Sequence, residues 1–435
     1  MSTLVADLIT DTDGIDWDDE AILSAPALVS KSAGLVFASE RWADLAARQA
    51  AHIIGPDSTD MLDLAMAVVL CPALDPESPV WLFIAGPPSM GKTDTARRVK
   101  KLAQVVPCDK LTGAGLVSGY KDQRGRRATG LLGKLDGKSL VMSEMSTFFE
   151  QGEAIVKKVL GDLTAAYDGQ YDNATGMDMD DAVHHVARFG FLGCTTNRHF
   201  DSYEHYIRKI GSRFLVYRLP VLTKAEYASL RAKVSQAIRH PDRRAHSAEL
   251  TERVIRHLMV LWAERANLSA DLAAADDRIS AMAEVLAACR GTISDLGEAE
   301  QPEGFSRGYQ QLRVLGQALA IVRGRPVVGP DELSLLWRVV LGSMAPARAR
   351  AVRIVSQRTD GLTAGEYQEA SGLGSTQVAE DLGLLVKLDL LDRETPLSET
   401  HKAVYRPVGY LLRAAGIVGA GDATGNPEAK SDLTG

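Results

Sequence analysis

The run Gly86-Pro87-Pro88-Ser89-Met90-Gly91-Lys92-Thr93 sets a glycine ahead of Gly-Lys-Thr with four residues between. Glycines so spaced let successive backbone N–H groups turn inward around an anion, and a helix beginning there adds the positive end of its dipole. Lys92 is the group expected to meet the β- and γ-phosphates of a nucleotide, and the Thr93 hydroxyl is the expected Mg²⁺ ligand. The chemistry implied is binding of ATP with Mg²⁺ in a cradle from Gly86 to Thr93. The alternative is an ordinary Gly-Pro turn. Context argues against it, because the apolar run Val80-Trp81-Leu82-Phe83-Ile84-Ala85 precedes the loop and a helical stretch, Thr93 to Gln104, follows it.

Hydrolysis needs an acid near the metal and the attacking water, presented by a neighbouring strand. Ser139-Leu140-Val141-Met142-Ser143-Glu144 ends on Glu144, the residue expected to orient and deprotonate water. The position before it, which ordinarily carries an aspartate that holds the metal's waters, is Ser143; it accepts a hydrogen bond but brings no charge. A further strand ends Gly193-Cys194-Thr195-Thr196-Asn197 and offers a polar side chain to the γ-phosphate, Asn197 first and Thr196 second. Arg213, in Gly211-Ser212-Arg213-Phe214, stands before the last strand, where a cation can reach the γ-phosphate of the next subunit and stabilise developing charge. That role demands an oligomer. The alternative is an arginine paired with a local acid.

The elements that must position these groups alternate. Thr59 to Leu74 reads as a helix, and apolar strands recur at Leu140 to Met142, Phe189 to Cys194 and Phe214 to Leu219, with helical spacing between them. This predicts an α/β fold with a parallel sheet over residues 61–222. From Lys224 to Val340 the pattern is wholly helical, including Leu250 to Trp262, Leu272 to Ala288 and Tyr309 to Val322, which predicts a helical lid over 223–345. Ala347 to Arg358, Ala364 to Ser371 and Ser375 to Lys387 then read as three helices. Leu390 to Arg393 and Ala403 to Arg406 follow as a hairpin, together the outline of a winged helix over 346–412. Residues 413–435 read as a flexible tail.

The chain has 435 residues, 46% of them hydrophobic, which suits two or three globular domains. No run approaches the ~20 apolar residues that span a bilayer, and the expected location is the cytoplasm. Cys71, Cys108, Cys194 and Cys289 lie far apart with no metal-knuckle or disulfide spacing. The net charge is −7, and the first twenty residues hold seven acids with no Lys or Arg, so the rest is neutral and nucleic acid is not excluded as a partner. Residues 1–60, with a helical-looking Ser39 to Ile53, suggest no chemistry.

With these motifs in view, the segment from about Val80 to Val340 resembles the AAA+ core of the minichromosome maintenance (MCM) helicases. Gly113-Ala114-Gly115-Leu116 and Gly130-Leu131-Leu132-Gly133-Lys134-Leu135 precede the Glu144 strand much as in that family, and Ser212-Arg213-Phe214 is similar to its arginine-finger motif. Phe305-Ser306-Arg307, followed by Gln311-Leu312 and Ala318-Leu319-Ala320, is similar to its sensor-2 helix, which implies Arg307 as a further phosphate contact. The chain also resembles ATPases of phages and mobile elements in Tyr167-Asp168-Gly169. The resemblance implies an AAA+ sandwich with lid and winged helix, a homo-oligomeric ring and DNA as a partner.

Two departures qualify that inheritance. The N-terminal region is too short and acidic to form a DNA-encircling collar. The hairpin that presents a basic residue to DNA in those motors here reads Asp172 to Asp181, and its four carboxylates repel phosphates. Lys121, Arg124, Arg126 and Arg127, beside Tyr120, form a second loop able to contact backbone phosphates. Arg348, Arg350, Arg353 and Arg358 approach the winged helix, with Lys402 and Arg406 in its wing, but the would-be recognition helix carries Glu380 and Asp381. His184 and His185, next to Asp180 and Asp181, point to opposite faces of a strand and do not share a metal. Three readings follow: a DNA-associated Mg²⁺-ATPase motor, an ATP-driven switch that recruits or remodels a protein partner, and an inactive nucleotide-binding scaffold.

Overall fold

A run that is apolar on both faces needs helices above and below it, and the four longer strands of the five-stranded sheet in the computed structural model are of this kind. The structure describes residues 29–30, 34–35, 59–100, 102–116, 130–173, 183–209, 213–239, 241, 270–291, 304–394 and 402–417. In chain order the first part comprises α1 (Asp60–Leu74), β1 (Trp81–Ala85), α2 (Lys92–Val99), β2 (Val105–Pro107), α3 (Gly113–Leu116) and β3 (Ser139–Met142). There follow α4 (Ser146–Phe149), α5 (Glu153–Ala166), β4 (Gln170–Asn173), β5 (Val183–Val186), β6 (Gly190–Thr195), α6 (Asn197–Lys209), β7 (Phe214–Arg218) and α7 (Lys224–Arg239). The strands β2-β3-β6-β1-β7, in that order, form a five-stranded sheet with every pairing parallel.

The two faces of this sheet differ in chemistry. One buries Trp81, Phe83, Phe191 and Phe214 together with Val156, Val159, Leu160 and Leu163 of α5 and Phe200 and Ile207 of α6. Trp81 anchors it: its ring meets Tyr167 edge-on at 5.0 Å, and its Nε1 donates to the Phe189 carbonyl at 2.8 Å. Such pairs contribute about 0.5–1.5 kcal/mol beyond area burial. The other face carries α1 and α2. Ser139 Oγ donates to the Val68 carbonyl of α1 at 3.0 Å, and a side chain at Gly190 would meet that same carbonyl, so α1 lies close against β3 and β6.

β2 was not expected. The helical reading of Thr93 to Gln104 stops at Val99, and Val105-Val106-Pro107 pairs with β3 at the edge of the sheet, where a proline's missing N–H costs no ladder bond. The remaining strands fall within one residue of the positions read from the apolar runs. β4 and β5 pair as an antiparallel hairpin, Asn173 opposite Val183; residues 174–182, which hold most of the acidic turn, lie outside the described residues, as do Leu250 to Trp262 and Ser39 to Ile53.

The later elements are α8 (Asp276–Arg290), α9 (Phe305–Val322), α10 (Pro330–Gly342), α11 (Pro346–Val355), β8 (Leu362–Thr363), α12 (Ala364–Ser371), α13 (Ser375–Lys387), β9 (Leu391–Glu394), β10 (Val404–Pro407) and α14 (Gly409–Ala415). The chain divides into two compact units, Met1–Ala274 with Gln310–Ser343, and Ala275–Tyr309 with Met344–Gly435. In the first, α10 seals the outer edge of β7: Ser343 Oγ accepts from the Val216 N–H at 2.8 Å, and Arg218 Nε donates to the Gly342 carbonyl at 3.0 Å. Arg323, after α9, binds Asp60 and Asp63 of α1 and Glu332 of α10, and Arg338 joins at Asp60. In the second unit α8 packs on α14, and α11, α12 and α13 stand with a three-stranded antiparallel sheet ordered β8-β10-β9. Thr363 and Glu366 cap α12 reciprocally, and the Tyr367 hydroxyl donates to Asp381 at 2.8 Å.

Candidate functional site

β1 delivers the chain at Ala85 into the loop Gly86 to Gly91, and α2 starts at Lys92. The turn requires left-handed backbone at Ser89 (φ 60°) and at Gly91 (φ 80°). Gly91 adopts it freely; Ser89 does so at a cost, the kind of local strain that persists only where surrounding structure enforces it. Gly86 is needed for a different reason, because a Cβ there would come within 2.6 Å of Leu219. Its N–H donates to the Thr195 carbonyl at 3.3 Å, which ties the loop to the end of β6. Pro87, Pro88 and Ser89 are exposed at the crest, and Met90 is buried beneath it.

Lys92 is 6% exposed, and its ammonium donates to the Gly86 carbonyl at 2.9 Å and the Pro87 carbonyl at 2.5 Å. Burial holds its pKa below the ordinary lysine value, opposed by Cys194 and Glu144. The side chain thus curls back over its own loop and holds a cation where only neutral dipoles touch it. Thr93 is half-buried in the first turn of α2. Cys194 Sγ donates to the Lys92 carbonyl at 3.4 Å, and burial pushes that thiol up to about 12, so it stays protonated.

The sheet order sets the remaining groups beside the loop. β6 lies between β1 and β3, so the carboxyl ends of the three strands carry Gly86, Asn197 and Ser143-Glu144 side by side. Glu144 is exposed, and its Oε1 accepts from the Ser146 N–H at 2.9 Å, capping α4. Ser143 is buried and its Oγ donates to Asp109 Oδ1 at 3.5 Å. The hydroxyl of Thr196 accepts from the His199 N–H at 3.3 Å and contacts the His199 ring at 3.1 Å, so it caps α6. Asn197 differs: among the described residues its buried Oδ1 has no hydrogen-bond partner, and neither do the wholly buried hydroxyls of Thr95 and Thr195. A loop with left-handed backbone, a lysine paired only with carbonyls and an orphaned amide oxygen fit a bound phosphate chain.

Arg213 sits at the opposite end of the sheet. Phe214, which follows it, is level with Trp81, whereas Gly86 follows Ala85, level with Arg218. Arg213 makes an ion pair with Asp168 at 3.6 Å and lies over the Tyr167 ring at 5.9 Å. The Tyr167 hydroxyl donates to the Pro79 carbonyl at 2.9 Å, and Gln311 Nε2 donates to the Arg213 carbonyl at 2.8 Å. Sequence reasoning singled out Tyr167-Asp168-Gly169 and Gln311-Leu312 as motifs without seeing that both converge on Arg213.

Arg307 is half-buried in the first turn of α9, within the second unit. Of the four arginines around α11, two are committed internally: Arg348 donates to the carbonyls of Cys289 and Gly291, and Arg350 pairs with Asp381 at 3.1 Å. Arg353 and Arg358 are exposed. Lys121, Arg124, Arg126 and Arg127 lie outside the described residues, as do Gly211 and Ser212. Among the described residues no cluster of three or more His, Cys, Asp or Glu is arranged to hold a metal by itself, and no helix is long and apolar enough to cross a membrane. Asp109, which no sequence pattern marked, is the acid in contact with Ser143. In comparison with known proteins, the chain matches no family model and no curated protein.

Proposed function

We propose that this chain is an Mg²⁺-dependent ATPase of the AAA+ class that works as an oligomer. The observation that carries the reading is the loop from Gly86 to Gly91, with Lys92 buried against two carbonyls and, among the described residues, no counter-anion in contact. Lys92 and the loop N–H groups hold the phosphates, Thr93 and Ser143 hold the metal side, and Glu144 and Asn197 face the attacking water and the γ-phosphate. Bound Mg²⁺-ATP supplies the phosphoryl group and the metal charge that screens it. Arg213 lies a full strand away from its own loop, roughly 20 Å at ~3.3 Å per residue, further than its side chain spans. On this reading Arg213, paired with Asp168 within its own chain, would serve the loop of another copy, and assembly would be part of the mechanism. Arg307 and a winged-helix reading of α11 to β10 follow from the resemblance to MCM helicases, as does DNA as the substrate of motion.

A second reading, an ATP-driven switch acting on a protein partner, is favoured by the internal commitment of Arg348 and Arg350 and by the acidic sequence of the β4–β5 turn. The test is nucleotide binding and turnover by the full chain. Lys92→Ala is expected to lower ATP affinity at least tenfold, given the roughly 1.5–3 kcal/mol of a charged hydrogen bond. Equal affinity in that variant sinks the ATPase reading. Turnover accelerated by added DNA selects the motor; turnover indifferent to DNA selects the switch.

A further inference from the structure

Ser143 brings no charge to the position before Glu144, and the adjoining strand brings one to it. β2 and β3 run parallel with Pro107 opposite Val141, and the Cys108 N–H donates to the Val141 carbonyl at 3.0 Å. Two residues beyond Pro107, Asp109 comes level with Ser143, and the two side chains meet at 3.5 Å. Alternation along β3 turns Ser139, Val141 and Ser143 to one face, and Ser139 reaches α1 there. Cys194 of β6 contacts the Lys92 carbonyl on the same face. Asp109 therefore approaches on the side of the sheet that carries the phosphate loop. Its other partner is Lys100, immediately after α2, at 2.5 Å, and its side chain is 82% exposed.

A serine whose proton is committed to a carboxylate presents only lone pairs outward and is a stronger acceptor than a serine bonded to water. That is what a metal's water shell needs from this strand end, and partners behind metal-site groups commonly carry a large share of the affinity. We propose that Asp109 is the positioning acid of the metal site: it orients and polarises Ser143, and the pair does the work of the single aspartate this strand end lacks. The inference rests on the ATPase reading above and refines it.

The test uses the full chain with a non-hydrolysable ATP analogue and Mn²⁺ in place of Mg²⁺, read by electron paramagnetic resonance. Asp109→Asn is expected to weaken Mn²⁺ binding in the nucleotide complex roughly 10- to 100-fold. Affinity for the analogue in excess chelator is expected to stay the same. Ser143→Asp, added to Asp109→Asn, is expected to restore Mn²⁺ binding, because it returns the charge to the strand end. Lys100→Met is expected to keep Mn²⁺ affinity or tighten it. Unchanged Mn²⁺ binding in Asp109→Asn overturns the proposal. So does an equal loss in Lys100→Met, which reduces Asp109 to an ion-pair partner of that lysine. Failure of the unaltered chain to bind the analogue in chelator is a different result, and it takes down the ATPase reading together with this one.

Discussion

Two cations of the first unit, Arg323 and Lys92, have opposite surroundings. Arg323, with a side chain 12% exposed, meets Asp60, Asp63 and Glu332, and those acids hold its pKa above the ordinary arginine value despite burial. Lys92, 6% exposed, meets two backbone carbonyls, and burial holds its pKa down. Burying a charge is costly unless it is paired. The first site is therefore complete as it stands and ties α1, α9 and α10 together. The second has the donor of a charge-assisted bond and, among the described residues, no anion to accept it, the arrangement expected where the anion arrives with a ligand.

The comparison is broken most directly by removing each cation in turn. Arg323→Met strips Asp63 of its cation, leaving Asp60 to Arg338 and Glu332 to Arg325, and is expected to cost about 3–5 kcal/mol of stability, the usual range for stripping one partner from a buried pair. Lys92→Met removes an uncompensated charge and is expected to cost nothing in the nucleotide-free protein. Urea unfolding followed for both variants decides it; equal losses mean that Lys92 is as structural as Arg323. The lysine also has a pH signature. Its pKa in the folded chain lies below the unfolded value, so the penalty of burying the charge is full below the folded pKa. Stability gains as pH rises from there towards the unfolded value, and in Lys92→Met that gain disappears.

A smaller effect is expected at Gly86, where the loop's shape and the sheet's packing are decided together. Gly86→Ala drives a methyl into Leu219 at 2.6 Å and is expected to cost about 1–3 kcal/mol, because Leu219 is bonded through its N–H to Ala85 and cannot withdraw as a whole. If the substitution is neutral in urea yet weakens ATP binding, the glycine serves the phosphates alone.

The difference between the two cations also marks what the sequence disclosed. The turn from Gly86 to Gly91 and the four longer strands of the sheet were legible because their information is local: glycine spacing in the first case, unbroken apolar runs in the second. β2 was missed because three residues ending in proline make no periodic signal, and Asp109 was missed with it, since its meaning depends on being level with a serine 34 positions later. The Arg323 network was illegible for the same reason at a larger scale. Asp63 and its arginine are 260 positions apart, and neither belongs to a motif. Arg213 was located by its place before a strand, while Asp168 and Gln311, which hold it, became visible only in three dimensions.

Arg338 sharpens the comparison from the other side, because it shares a partner with Arg323 but not its environment. Its Nη1 meets Asp60 at 2.6 Å and its guanidinium lies 6.0 Å from the Tyr217 ring, yet its side chain is 43% exposed. Solvent screens such a pair, and exposed ion pairs contribute about 0.2–1 kcal/mol. Arg338→Ala is expected to cost no more than about 1 kcal/mol, and that cost should shrink as salt is raised towards 1 M, where the screening length falls to about 3 Å. The cost of Arg323→Met should hardly move over the same range, because its partners are withdrawn from the ionic atmosphere. Equal salt sensitivity in the two variants would mean that solvent reaches the whole network, and the contrast drawn between a satisfied buried cation and an unsatisfied one would lose its physical basis.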